Sequence, residues 1–149
     1  MGGLRLFFSP NGRINRRTFW GGFAVFLVAE VVLKLTPVGT LLSVVLLYPG
    51  VRLYTKRLHD FGRSGWLVTV PIAGAAICFA LAALLGGEAF FEALAGGPPS
   101  RDAPWAIILG LITASGVIGT AFLVWVGLKR GDEGQNRFGF APSRARRSP

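Results

Sequence analysis

Four long apolar segments constrain the fold of this chain more than any other feature. They cover residues 19–35, 38–54, 66–85 and 105–128. A helix needs roughly 17–25 mainly apolar residues to cross the hydrocarbon core of a bilayer. Leu, Val, Ala, Ile and Phe predominate in all four segments, without the regular alternation typical of membrane barrel strands. The pattern therefore predicts an all-α integral membrane protein with four transmembrane helices.

Composition favours the membrane class over a soluble or a disordered chain. Hydrophobic residues make up 52% of the sequence and charged residues 15%, whereas a soluble domain carries about 25% charged residues. So much apolar surface excludes disorder for most of the chain. The single cysteine, Cys78, lies in an apolar segment. It allows neither an intramolecular disulfide nor a cysteine metal cluster.

The basic residues are biased to one side of the predicted helices. Lys and Arg number 16 against 7 Asp and Glu, and 14 of the 16 flank the start of the first segment, the junction of the second and third, or the end of the fourth. Only Lys34 and Arg101 fall on the other side. Because cytoplasmic loops collect Lys and Arg, both termini are predicted to be cytoplasmic. This bias accounts for the net charge of +9, so no nucleic-acid partner is expected.

The apolar segments divide the chain into three predicted regions. Residues 1–18 form a cytoplasmic or interfacial N-terminal segment, residues 19–128 the four-helix membrane domain, and residues 129–149 a basic cytoplasmic tail. Asn15 or Thr18 is suited to cap the first helix. Basic residues precede the first apolar segment as in a signal peptide, but no small-residue cleavage site follows, so we expect this segment to be retained.

Two charged residues, Glu30 and Lys34, lie one helical turn apart in the first apolar segment. This order of acid and base favours an intrahelical ion pair. An ionisable residue inside a membrane is also a candidate functional residue. Alternatively, Lys34 extends to the outer surface and neutralises Glu30 near the helix end.

The segment between the second and third apolar segments combines cations, an acid and the single histidine of the chain. Three interpretations remain open. In the first, Arg57 and Arg63, with Arg13, bind phosphate groups of lipids or of a phosphorylated ligand. In the second, His59 and Asp60 perform acid–base chemistry. In the third, Asp60 pairs with neighbouring cations and holds the loop in place. The sequence contains no catalytic triad spacing, nucleotide fingerprint or two-histidine metal motif, so no catalytic residue, cofactor or metal is assigned.

Three short motifs flank the apolar segments in order. They are GRINRRTFW at residues 12–20, RLHDFGRSGW at residues 57–66, and GQNRFG at residues 134–139, followed by Pro142. Together they resemble the motifs of the domain of unknown function 805 family, whose members are small bacterial inner-membrane proteins. The resemblance extends from about residue 12 to residue 142. It implies a four-helix membrane bundle in the bacterial inner membrane and no established activity.

All three motifs fall on the predicted cytoplasmic side, so we predict that they meet in one composite surface. The candidate residues for ligand or lipid binding are Arg13, Arg16, Arg57, His59, Arg63, Asn136 and Arg137. Asp60 is predicted to anchor one or more of the arginines, because an unpaired arginine near a bilayer is costly.

The leading functional hypothesis is a non-enzymatic, multi-pass inner-membrane protein whose cytoplasmic basic face binds anionic lipid, a phosphorylated ligand or a partner protein. The expected partners are membrane lipids, with a homo-oligomer or an unknown membrane partner as further candidates. The alternative is a small oligomeric transporter or channel subunit. The few polar residues inside the segments make a pore within one copy unfavourable.

Overall fold

The computed structural model describes residue 7 and residues 12–36, 38–98 and 101–142, except for the side chains of residues 40 and 41. The outer parts of the predicted N-terminal segment and of the basic tail, residues 1–6, 8–11 and 143–149, lie outside the described residues. The described chain is helical and contains no strand beyond one isolated bridge between Asn136 and Gly139. The prediction of an all-helical chain is therefore confirmed for this part of the sequence.

Within residues 12–142, as far as they are described, four α-helices and one short 3-10 helix follow the apolar segments. They are α1 (Arg16–Lys34), α2 (Gly39–Asp60), the 3-10 helix (Gly65–Val68), α3 (Thr69–Leu94) and α4 (Trp105–Leu128). The observed bounds of α4 match the predicted segment. The side-chain oxygen of Asn15 accepts a hydrogen bond of 2.8 Å from the backbone N–H of Thr18. Asn15 thereby caps α1 and satisfies one of its free amide groups.

Two helices run further than the apolar segments predict. α2 ends at Asp60 rather than at residue 54, because the turns beyond residue 54 bury Leu58 and three charged side chains. α3 continues through a kink at Gly87, whose φ of 54° and ψ of −138° are not helical. Residues 88–94 then form a further short helical stretch. Its Phe90 is buried with Ala82 and Ile108.

The described residues form two compact units. The first comprises the residues up to Val68 together with those from Trp125 onward, and the second comprises Thr69–Val124. In the first unit the Phe19 ring packs edge-on against Tyr54, with ring centroids 5.3 Å apart. The segment after α4, predicted as a tail, is part of the first unit as far as it is described.

Two helical stretches are long and apolar enough to cross a membrane. They are Gly65–Leu94 and Trp105–Leu128, each with a mean hydropathy of 2.3 in its most apolar window. Only 11% of the most apolar part of the first stretch is buried, and only 6% of that of the second. α1 and α2 are not among these two stretches.

Candidate functional site

Three charged side chains from two of the sequence motifs meet in the interior of the first unit. Arg13 is 3% exposed, Arg57 is 0% exposed and Asp60 is 4% exposed. Arg13 precedes α1, whereas Arg57 and Asp60 lie in the last turn of α2. We call these three residues the arginine cluster. Such complete burial of charged groups is rare unless they are paired and hydrogen-bonded.

Arg13 uses all five of its N–H donors. Its Nε donates to Asp60 Oδ1 at 3.3 Å, and its Nη2 donates to the Asp60 and Asp132 carbonyl oxygens at 3.0 and 2.6 Å. Its Nη1 donates to the carbonyl oxygens of Gly134 and Gly139 at 2.7 and 3.0 Å. Since a guanidinium group carries five donors, Arg13 has none left for a ligand. Arg13 instead ties the segment after α4 to the end of α2.

Arg57 connects α2 to the end of α4. Its Nε donates to the Val126 carbonyl oxygen at 3.1 Å, and its Nη2 donates to that of Lys129. Its Nη1 donates to Asp60 Oδ2 and, at 3.4 Å, to the Ile14 carbonyl oxygen. The last carbonyl groups of a helix have no partner inside the helix and carry partial negative charge. Arg57 therefore acts as a cap for α4.

The arginine cluster holds two guanidinium groups against one carboxylate. Burial raises the pKa of Asp60, and the charges of Arg57 and Arg13 oppose that shift. The excess positive charge is stabilised by backbone carbonyl dipoles at the ends of α2 and α4. A Cβ atom at Gly131 would collide with the Asp60 carboxylate, so only glycine fits there.

Residues 136–139 form a tight turn against the end of α2. Asn136 and Gly139 exchange two backbone hydrogen bonds of 3.1 and 2.9 Å. The Asn136 side-chain amide donates to the His59 carbonyl oxygen at 3.0 Å and to Asp132 Oδ2 at 2.8 Å. Arg137 Nη2 donates to the Gly62 carbonyl oxygen at 3.2 Å. The C-terminal motif is thus joined to the central motif by side chain to backbone contacts.

The His59 ring is stacked rather than directed at an open site. Its centroid lies 3.7 Å from that of Phe138, and the two ring planes differ by 7°. Burial lowers the pKa of His59, a hydrogen bond with the Gly12 backbone opposes this shift, and the charge of Arg137 lowers the pKa further. The imidazole is therefore neutral at pH 7. This arrangement suits packing better than proton transfer.

The remaining predicted binding residues lie on the surface. Arg16, Arg63 and Arg137 are exposed. Arg63 makes no side-chain hydrogen bond or ion pair in the described part of the chain. Arg16 borders an open cleft of about 420 Å³, whose lining also includes the acidic residues Asp132 and Glu133. The structure therefore divides the predicted arginines into a buried pair and an exposed set.

The predicted Glu30–Lys34 ion pair is not formed. No salt bridge joins them, although both belong to the described residues. Lys34 is exposed in the last turn of α1, and Glu30 is half-buried. An ammonium group at a helix C-terminus is stabilised by the helix dipole and by solvent, which removes the need for a partner. The alternative, in which Lys34 extends to the outer membrane surface and neutralises Glu30, stays a prediction.

Sequence reasoning missed the backbone acceptors of the arginine cluster and the Phe138 partner of His59. Carbonyl groups are common to every residue, so no side-chain pattern reveals which of them will face an arginine. Gly131 and Gly139 were the available signal, since a Cβ atom at Gly131 would meet the Asp60 carboxylate and Gly139 has a φ of 115°. Among the described residues, no group of three or more His, Cys, Asp or Glu side chains is arranged to hold a metal ion.

One comparison with known proteins gives a match. The family model described as "Protein of unknown function (DUF805)" matches residues 29–90. This range contains the central motif and confirms the predicted family resemblance there. No curated protein and no solved structure matches the chain. The family description names no activity, so a functional proposal must come from the geometry of the chain itself.

Proposed function

We propose that this chain is a four-span protein of the bacterial inner membrane, with cytoplasmic termini and a basic surface that binds phosphate groups of anionic phospholipids. The observation that carries the membrane proposal is the exposure of large apolar side chains on all four helices. Val28 is 64% exposed, Val45 67%, Leu84 78% and Val117 62%. Soluble proteins rarely expose continuous apolar surface on this scale. Lipid contact on every helix explains it.

The charges of α1 are compatible with a membrane span. Arg16 and Arg17 begin the helix, and Lys34 ends it. Long basic side chains near helix ends extend to the headgroup region. Only Glu30 lies inside the apolar stretch. Exposed tryptophans in the first unit, Trp20, Trp66 and Trp125, provide the aromatic side chains typical of a membrane interface.

Cysteine labelling tests the topology. In a Cys78→Ser background, we expect an impermeant maleimide to label Asp102→Cys on intact cells and Glu133→Cys only after permeabilisation. Asp102 and Glu133 are both exposed, and one proposed span separates them. The Cys78→Ser chain without an added cysteine is the control for background labelling. Equal labelling of both positions on intact cells would contradict the proposed topology.

The lipid-binding surface is proposed to consist of Arg16, Arg63 and Arg137, which we call the basic rim. Their guanidinium groups are exposed and suited to bidentate phosphate binding. The hydrogen bond from Arg137 to the carbonyl oxygen of Gly62 holds Arg137 beside the central motif. Gly62 directly precedes Arg63 in the sequence. The buried arginine cluster supports this surface by fixing the loops that carry it. The stacking of His59 on Phe138 favours a non-enzymatic role.

Removal of two rim charges should weaken lipid binding. Each cation near an anionic membrane surface contributes about 1 kcal/mol, so Arg63→Gln combined with Arg137→Gln should lower the affinity for phosphatidylglycerol about thirtyfold. Native mass spectrometry of the full chain in detergent, titrated with phosphatidylglycerol, measures this change. Phosphatidylcholine and inorganic phosphate serve as comparison ligands that separate anionic lipid from neutral lipid and free phosphate.

Arg101→Gln is the matched control, since Arg101 is exposed but lies in the second unit, on the proposed outer side. We expect this variant to bind phosphatidylglycerol as the wild type does. Unchanged binding by the double rim variant would refute the lipid proposal. The same spectra count the subunits and so test the alternative of an oligomeric transporter or channel.

A further inference from the structure

The cleft beside Arg16 carries accessible side chains of both signs of charge. It has a volume of about 420 Å³, lies within the first unit, and is lined by Arg16, Asp132 and Glu133. These three residues are exposed. Arg57 and Asp60 also line the cleft, but they are buried and paired with each other. A ligand that enters the cleft therefore meets one accessible cation and two accessible carboxylates.

The opposite charges in this cleft do not pair with each other. No salt bridge joins Arg16 to Asp132 or Glu133, and neither Arg16 nor Glu133 makes a side-chain hydrogen bond to any described residue. Asp132 accepts from Asn136 through Oδ2 at 2.8 Å, whereas its Oδ1 has no donor among the described residues. One cavity thus holds guanidinium donors and carboxylate acceptors that the described part of the chain leaves available.

This mixture of charges restricts the class of ligand. A purely anionic headgroup would be attracted by Arg16 but repelled by two carboxylates, and a purely cationic group would meet the reverse. A zwitterion, with an anion and a cation a few bonds apart, is attracted by both. A guanidinium group binds phosphate through two parallel hydrogen bonds, and a primary ammonium group has three donors for carboxylate oxygens. The cleft therefore favours a phosphate linked to a primary amine.

The position of the cleft in the proposed membrane orientation is that of a lipid headgroup. Arg16 begins α1, and the exposed Trp20 lies one turn further along the same helix. Basic and aromatic side chains in this order are typical of the headgroup region. Ala141 and Pro142 add apolar surface to the lining of the cleft, against which the methylene groups of a headgroup can pack.

We propose that the cleft binds a phosphoethanolamine group, with its phosphate at Arg16 and its ammonium group at Glu133 and Asp132. Phosphatidylethanolamine and soluble esters of phosphoethanolamine both present this group. The lipid as its source rests on the membrane location proposed above. The site shares Arg16 with the basic rim and gives that end of the rim a zwitterionic ligand, but it uses neither Arg63 nor Arg137.

Native mass spectrometry of the detergent-solubilised full chain, with phosphatidylethanolamine as the probe, tests the cleft. The lipid concentration is set to give one bound phosphatidylethanolamine on the wild type. Arg16→Gln and Glu133→Gln should then each lower the retained fraction about fivefold, which is the effect of one lost exposed ion pair. Circular dichroism melts establish that each variant is folded.

Arg17→Gln and Glu88→Gln are the matched controls. Arg17 is exposed and adjacent to Arg16, but it does not line the cleft. Glu88 is an exposed acid of the second unit. Both variants should retain phosphatidylethanolamine as the wild type does.

The response of Glu133→Gln to different lipids separates a zwitterion site from a general attraction for anions. Removal of this acid should lower the binding of phosphatidylethanolamine without lowering that of phosphatidylglycerol. Phosphatidylcholine, whose ammonium group has no N–H donor, should bind the wild type more weakly than phosphatidylethanolamine. Equimolar glycerophosphoethanolamine should leave the bound lipid in place, because it lacks acyl chains; displacement would overturn the lipid as the source of the group.

Equal retention of phosphatidylethanolamine by the wild type and a folded Glu133→Gln variant would overturn the site. Equal binding of phosphatidylcholine and phosphatidylethanolamine by the wild type would overturn the role of the carboxylates. Loss of phosphatidylethanolamine in both cleft variants, with phosphatidylglycerol binding unchanged in the double rim variant, would support the cleft while refuting the basic rim. The reverse result would refute the cleft alone, so the two proposals fail separately.

Discussion

Replacement of Asp60 by asparagine should lower the free energy of unfolding by about 3–5 kcal/mol. Asp60 supplies the single carboxylate of the arginine cluster, and it accepts from both Arg13 and Arg57. Asparagine has a similar shape, but it leaves two buried guanidinium groups without an opposing charge. An uncompensated buried charge costs far more than the loss of a surface ion pair.

Denaturant unfolding of the detergent-solubilised protein, followed by circular dichroism, measures the effect of Asp60→Asn. We also expect faster tryptic cleavage after the exposed Arg137, because the segment after α4 is bound to Asp60 through Arg13. Glu133→Gln is the matched control, since Glu133 is an exposed acid in the same segment. If Asp60→Asn leaves both the unfolding free energy and the cleavage rate unchanged, the anchor hypothesis is wrong.

Replacement of Arg57 by lysine should destabilise the first unit even though it keeps the charge. The acceptors of Arg57 lie on Ile14, Asp60, Val126 and Lys129. A lysine ammonium has three donors at one point, so it cannot reach acceptors spread around a planar guanidinium. With two buried acceptors left unsatisfied, at about 1–3 kcal/mol each, we expect a loss of at least about 2 kcal/mol.

The same unfolding measurement applies to Arg57→Lys, with Arg63→Lys as its control. Arg63 belongs to the same motif but is exposed, so its replacement should change stability by no more than about 0.5 kcal/mol. A stability of Arg57→Lys equal to that of Arg63→Lys would show that charge alone, and not the shape of the guanidinium, matters at residue 57.

Much of the helical architecture follows from the sequence, because the length of an apolar segment and its flanking residues are local properties. α4 begins at Trp105 and ends at Leu128, as its apolar length predicts. Asn15 caps α1 because its side chain bonds within its own turn. The role of Asp60 as an anchor was also open to prediction, since an acid among arginines near a bilayer requires a partner. That role stays a prediction, which the Asp60→Asn variant tests.

Which arginines are buried was decided only by the tertiary structure. Arg57 and Arg63 belong to one motif, yet Arg57 is enclosed and Arg63 is exposed. The difference arises because carbonyl groups distant in sequence converge on Arg57, whereas no carbonyl group of the described residues accepts a hydrogen bond from Arg63. The requirement for glycine at residue 131 has the same origin, since the Asp60 carboxylate occupies the space of a side chain. The sequence by itself determined which segments are helical and which residues carry charge. Long-range backbone contacts, which leave no pattern in side-chain order, decided which of those charges are buried inside the first unit and which are exposed.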